Sequence, residues 1–146
     1  MNTISEIEVA YRPLSTTILN PITQSKDAYD LIIREWDDNI LEMIEEVKVI
    51  FLNRTNKQIG IYNLAKGGIT GCVVDIRIIL SIALKTLATG LILVHNHPSG
   101  NLNPSTEDRK ITNELQKACE IMNITLLDHL IVTRKGFFSF SDANLI

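Results

Sequence analysis

Leu91-Ile92-Leu93-Val94 runs straight into His95-Asn96-His97-Pro98, with Gly90 before it and Ser99-Gly100 after it. An apolar run this short, bounded by Gly and by a Pro-Ser-Gly turn, predicts a buried strand rather than a helix. Side chains two apart on a strand point the same way, so His95 and His97 project together from its end. Gly100 and Pro104 bound a loop, after which Ser105 begins a helix running through Ile111, Leu115, Ala118, Cys119 and Met122. The first turn of that helix brings Asp108 back toward the two imidazoles. Two neutral imidazoles and one carboxylate suit Zn²⁺. Three protein ligands leave a fourth position open, as in catalytic rather than structural sites.

A plainer reading competes for the same residues. Ser105-Thr106-Glu107-Asp108 also fits a capping box, with Ser105 as N-cap and Asp108 folding back onto it. Paired histidines at a strand end can simply hydrogen-bond within a polar loop. Capping does not explain two co-facing imidazoles on an otherwise apolar strand, so the metal reading leads.

His95-x-His97-Pro98 followed by Ser105-x-x-Asp108 resembles the signature of the JAMM (JAB1/MPN/Mov34) metalloenzymes. Three segments resemble the RadC-like branch: His-Asn-His-Pro-Ser-Gly, then Pro104-Ser105-x-x-Asp108, then Leu127-Asp128-His129-Leu130-Ile131. The resemblance runs from about Ser25 to the C-terminus. It divides the chain into an N-terminal extension over 1–24 and a single RadC-like JAB/MPN domain over 25–146. It implies an α/β fold of the JAMM/MPN type (cytidine-deaminase-like), with α/β/α layers around a mixed sheet. It also implies that His95, His97 and Asp108 bind zinc, that an upstream Glu activates the attacking water, and that Ser105 lies beside the substrate oxyanion.

That Glu must lie near Glu45-Glu46, which precede the β-rich run Val47 to Asn53. The family pattern favours Glu45, two residues before the strand's first apolar position, with Glu46 as runner-up. Strand parity places Glu45 with Val47, Val49 and Phe51, and Glu46 with Ile50 and Leu52. Both faces are apolar, so parity does not decide. The bland alternative is a pair of solvated charges ending the acidic stretch Glu42 to Glu46.

The implied chemistry is amide hydrolysis. Zinc acidifies a coordinated water toward a pKa of about 7 and polarises a carbonyl. A carboxylate within reach takes the proton and passes it to the leaving amine. A hydroxyl at a helix N-terminus steadies negative charge on the carbonyl oxygen. The expected enzyme is a zinc metallopeptidase or isopeptidase acting on a peptide or protein. The alternative is a DNA-repair accessory. Nucleic acid enters only through the label often given to RadC-like proteins, many of which carry an N-terminal helix-hairpin-helix module. About two dozen residues precede the matching region here, too few for that module.

Bulk properties agree with a globular domain: 146 residues, 45% hydrophobic, net charge −3. That charge gives no support for non-specific binding to nucleic acid. Cys72 and Cys119 fit neither a disulfide framework nor a CxxC pair. Met1 to Ala10 lacks the apolar core of a signal peptide, and no stretch approaches a membrane span, so the expected location is the cytoplasm.

Elsewhere the pattern predicts a strand over Ile4 to Val9 and a helix capped by Ser25 that carries Tyr29, Ile32, Ile33 and Trp36. A hairpin turn over Asn53 to Lys57 leads into a partner strand, Gln58 to Leu64. Gly67 to Gly71 reads as a flexible loop without a phosphate-binding pattern. Asp75 caps a helix with Ile76, Ile79, Leu80, Ala83, Leu84 and Leu87 as its core stripe and Gly90 as its stop. Strands follow over Thr125 to Thr133 and at Gly136 to Phe140. His129 stays outside the ligand set, as a core histidine or as a partner orienting a ligand. Asn96 and Ser99 are read as shaping the loop, with contact to substrate as the alternative for either.

Overall fold

The computed structural model describes residues 4–8, 10–12, 20–68 and 71–146. The chain runs α1 (Ser25–Arg34), β1 (Glu46–Leu52), β2 (Gln58–Lys66), α2 (Ile76–Lys85), β3 (Gly90–Asn96), α3 (Thr106–Ile121), β4 (Thr125–Thr133) and β5 (Gly136–Ser139). The strands form one sheet in the order β2-β1-β3-β4-β5. Neighbouring strands are antiparallel except β3 and β4, which are parallel and joined by α3 as the crossover.

Every residue of β1 and β3 is buried, because helices cover both faces of the sheet. On one face Val47, Val49, Phe51, Leu91 and Leu93 pack with Ile79 and Ala83 of α2 and with Leu115 and Cys119 of α3. On the other, Ile50, Leu52, Ile92 and Val94 pack with Ala28 and Ile32 of α1 and with Trp36. Strands covered on both sides lose the polar–apolar alternation and read as continuous apolar runs. The result is the α/β/α layering expected from the sequence. No helix among the described residues is long and apolar enough to cross a membrane.

Three local expectations need correction. Residues 4–8 form no strand, and Ile4 and Ile7 are 93% and 88% exposed; Val9 lies outside the described residues. Ile4 stands with Glu6 and Glu8 on one side of that alternation and Ile7 on the other, so the apolar side chains do not gather on one face. At α1, Ser25 is the first helical residue and Gln24 the cap position. Asp27 Oδ2 accepts the Gln24 and Thr23 N–H groups, and Ser25 Oγ donates instead to Asp142 at 2.5 Å.

The third correction concerns α2. Asp75 caps it, accepting the Arg77 N–H at 2.9 Å, but the helix ends at Lys85. Leu87 takes the left-handed conformation (φ 57°). Leu87 N–H then bonds Leu84 O, and Ala88 N–H bonds Ala83 O, which together make the Schellman closure usually built on Gly. Gly90 instead opens β3, where an added Cβ would come within 2.9 Å of the Leu127 side chain. Leu84 and Leu87 are 47% and 80% exposed. Leu84 lies roughly 140° round the helix from Ile79, and Leu87 lies beyond the helix end, so neither joins the stripe of Ile79 and Ala83.

The loop at 67–71 closes tightly at its described residues. Gly67 N–H bonds Glu45 O at 2.8 Å, and a Cβ on Gly67 would strike Gly71 O. That close approach brings Gly71 to Val74 beside the N-terminus of β1. Ile69 and Thr70 lie outside the described residues.

Candidate metal centre

His95 sits near the C-terminal end of β3, directly opposite Val47 of β1. His97 follows the strand, with its N–H on Val132 O and a turn closed by Gly100 N–H on His97 O. Gly100 takes φ +80° there, the backbone region that a β-carbon disfavours. The two imidazoles meet edge to face, with Nε2 atoms 2.9 Å apart. Asp108 arrives from α3, its Oδ1 3.1 Å from His95 Nε2 and its Oδ2 3.4 Å from His97 Nε2.

The capping reading of Ser105 and Asp108 is also observed. Ser105 Oγ accepts the Asp108 N–H at 3.1 Å, and Asp108 Oδ2 accepts the Ser105 N–H at 2.7 Å. One carboxylate thus closes the helix N-terminus and faces both imidazoles. The cap holds Asp108 in place, so the two readings of this motif describe one structure.

These three side chains fit a metal ion. Their ligand atoms lie within 4.8 Å of one another. Zinc–ligand bonds of about 2.0–2.1 Å place tetrahedral ligands roughly 3.3 Å apart; the two Nε2 atoms stand 2.9 Å apart, and each has its own Asp108 oxygen nearby, Oδ1 at 3.1 Å from His95 and Oδ2 at 3.4 Å from His97. Burial by itself would raise the Asp108 pKa. Hydrogen bonds with His95 and His97, and the charge on His95, outweigh it and hold the carboxyl well below the usual range. The Asp108 hydrogen bond raises the His97 pKa against the opposing effect of burial, helped by Asn101 O and by the negative charge of Glu45.

The two adjacent glutamates part company. Glu45 lines a cleft of about 690 Å³ together with Val47, Cys72, His95, His97, Ser105 and Asp108, a volume typical of small-ligand and substrate sites. Glu46 is buried with Oε1 3.8 Å from Lys66 Nζ and Oε2 without a hydrogen-bond partner among the described residues. Ser105 lies on the cleft rim, and because its Oγ is only an acceptor in the cap, its own proton is free to donate. Burial, then the charges of Glu45 and Glu46, raise the Cys72 thiol pKa.

Asn96 is wholly buried and does more than shape a loop. Its Oδ1 accepts the Glu46 N–H at 2.7 Å, and its Nδ2 donates to Leu41 O and Ile44 O at 2.7 and 2.8 Å. The side chain next to both histidines therefore fixes the backbone that carries Glu45. Ser99 Oγ accepts the Asn101 N–H at 3.3 Å, inside the turn.

His129 touches His95 from behind, Nε2 to Nδ1 at 2.8 Å, and so belongs to the supporting layer, not to the three facing side chains. Its Nδ1 lies 2.6 Å from Thr112 Oγ1. Thr112 escaped the sequence reading. A signal for it existed: Thr112 stands on the buried stripe Asp108, Thr112, Leu115, Cys119, where a hydroxyl needs a partner.

A model of the RadC-like JAB domain family matches residues 22–145. A UPF0758 protein of Flavobacterium johnsoniae is 43% identical over 147 residues, covering 97% of this chain and 62% of that protein. UPF0758 proteins of Porphyromonas gingivalis and Streptococcus sanguinis are 42% and 38% identical, over 70% and 76% of this chain and 45% and 49% of theirs. The chain thus spans roughly half to three-fifths of the length of these relatives. With its mixed sheet and its His-His-Asp grouping, the chain belongs to the RadC-like JAB domain family.

Proposed function

We propose that this domain is a zinc-dependent hydrolase of amide bonds, acting on a peptide or isopeptide linkage of a protein substrate. The observation that carries the reading is one cleft lined by His95, His97 and Asp108, with Glu45 and Ser105 beside them. Zinc held by the three ligands would supply Lewis acidity, acidifying water and polarising the scissile carbonyl. Glu45 would take the proton from the attacking water and return it to the departing amine. Ser105 would donate its free proton to the carbonyl oxygen as negative charge builds there, with the α3 N-terminus adding its dipole. Asp108, capped and ionised, needs no proton removed before it acts as a ligand.

The DNA-processing alternative finds less support at this cleft. Of the described residues lining it, Glu45, Glu107, Asp108 and Glu114 face a single cation, Lys110, which is the wrong balance for a phosphate backbone. Metal analysis of the purified protein, beside a screen of peptide, isopeptide and DNA substrates, tests the proposal. About one zinc per chain and metal-dependent amide cleavage are expected. Iron in place of zinc would overturn the assignment of the ion. Metal-dependent DNA cleavage lost in Glu45→Gln, without any amide hydrolysis, would transfer the domain to DNA processing.

A further inference from the structure

We infer that Thr112 and His129 are positioning residues that set which ring nitrogen of His95 carries its proton, leaving Nε2 bare to bind the ion. The inference rests on the reading of His95, His97 and Asp108 as a metal site, and it adds two residues and a direction of proton order to it.

The order follows from one backbone carbonyl. Thr112 Oγ1 lies 2.6 Å from Asp108 O and 2.6 Å from His129 Nδ1. A carbonyl oxygen only accepts, so the Thr112 hydroxyl proton is committed to it. The hydroxyl can then only accept from the ring, which makes His129 the Nδ1–H form. His129 is 0% exposed, and its ring nitrogens touch Thr112 and His95 rather than a carboxylate, so the ring is neutral and Nε2 keeps its lone pair. His95 Nδ1, 2.8 Å away, must donate to it. A neutral His95 with its proton on Nδ1 has a bare Nε2, the atom facing His97 and Asp108.

The relay closes on itself. It starts at the backbone carbonyl of Asp108 and returns to that residue's own carboxylate through Thr112, His129 and His95. Phe140 stacks on His129, with centroids 4.6 Å apart and planes 12° from parallel, and fixes the ring plane in which these bonds lie. His97 reaches the same form by a shorter route: its Nδ1 donates to Asn101 O at 2.6 Å, again a pure acceptor, and its Nε2 is bare. Both imidazoles are therefore set for metal by backbone carbonyls. With both imidazoles neutral, three lone-pair atoms meet with no hydrogen between them; a bound cation relieves this, and without one a proton taken up on Nε2 does, through the hydrogen bonds to Asp108 described above.

Thr112→Val keeps the shape and removes the hydroxyl. His129 is then released to carry its proton on Nε2, which would force the His95 proton onto the ligand atom. Zinc affinity, measured by competition with a chelator of known affinity, should fall about 10- to 100-fold. Thr112→Ser, which keeps the hydroxyl, should restore it. Ring-nitrogen NMR of the metal-free wild type should show His129 protonated on Nδ1, and metal-free Thr112→Val should move that proton to Nε2. Unchanged affinity in Thr112→Val, or an Nε2–H signal from wild-type His129, overturns the relay. Should Thr112→Val fail to fold, the wild-type spectrum decides alone. A wild type that binds no zinc defeats the metal reading, while the His129 tautomer read in that same metal-free chain still judges the relay separately.

Discussion

Asp128 and His129 are neighbours on β4, both buried, and they serve opposite faces of the sheet. Asp128 opens on a small cavity beside Thr23, Ser25 and Ile92, and His129 on the cleft lined by His95, His97 and Asp108. The Asp128 cluster is complete. Its carboxylate accepts the His129 N–H at 2.7 Å, the Ser141 N–H at 3.0 Å and the Ser139 hydroxyl at 2.6 Å, tying the turn after β5 to the sheet. The His129 cluster ends instead in acceptors that face one another. Both groups titrate abnormally: burial raises the Asp128 pKa and drives that of His129 well down. Burial and a shifted pKa are thus shared by a cluster that braces a turn and one that lines a cleft. What separates them is whether the polar groups meet as donor to acceptor or as acceptor to acceptor.

The largest effect expected from this contrast is on metal content. His95→Ala combined with His97→Ala removes two of the three proposed ligands and should abolish zinc binding. Asp128→Ala should leave the stoichiometry at about one while lowering stability, because buried donors left without an acceptor cost roughly 1–3 kcal/mol each. Stoichiometric zinc in the double variant would sink the metal assignment. Zinc lost from a folded Asp128→Ala protein would show that the two clusters are a single unit.

A second effect divides the glutamates as the first divides the clusters. Glu45→Gln should keep zinc yet lower turnover on an amide substrate by about 10²- to 10⁴-fold, the range for loss of a general base. Glu46→Gln should leave turnover nearly unchanged, since that carboxylate is buried near Lys66 away from the cleft. Reversed effects would exchange their roles. Smaller again is Ser105→Ala. It should cost about 1 kcal/mol in a denaturant titration through the lost helix cap, and slow turnover while zinc stays. Loss of zinc there would mean that the cap, rather than the ligands' own geometry, governs binding.

The sequence made some of this legible and hid the rest for physical reasons. His95, His97 and Asp108 could be brought together on paper because strand parity and a helix N-terminus are short-range rules. The choice between Glu45 and Glu46 could not be made by parity, since β1 is covered on both faces and its pattern carries no polar side. Gly90 looked like a helix stop because Gly is the usual left-handed residue. The chain spends that conformation on Leu87 and uses Gly90 for a close approach to Leu127. Thr112 is one of many helical threonines in sequence terms. Its importance depends on His129, which comes from another element 17 residues later.

The finest test of the contrast is the direction of two acid titrations. Asp108 has a lowered pKa, so in the metal-free protein it contributes stability that is present above the ordinary carboxylate value and lost only as pH falls through its own depressed one. Asp128 has a raised pKa, and the sign reverses. The folded state holds its proton more tightly than the unfolded chain does. Its contribution is therefore full below the ordinary value near 3.8 and lost as pH rises through the folded one. Asp128→Asn removes that titration without emptying the site, because the amide oxygen still accepts the His129 and Ser141 N–H groups. Stability measured by urea denaturation should then be lowered most at the acid end, and the deficit should shrink as pH rises through that window. Asp108→Asn should behave in the opposite sense, its deficit growing with pH. Parallel curves for the two variants would mean that the sheet treats its two buried aspartates alike, and the contrast drawn from their hydrogen bonds would fail.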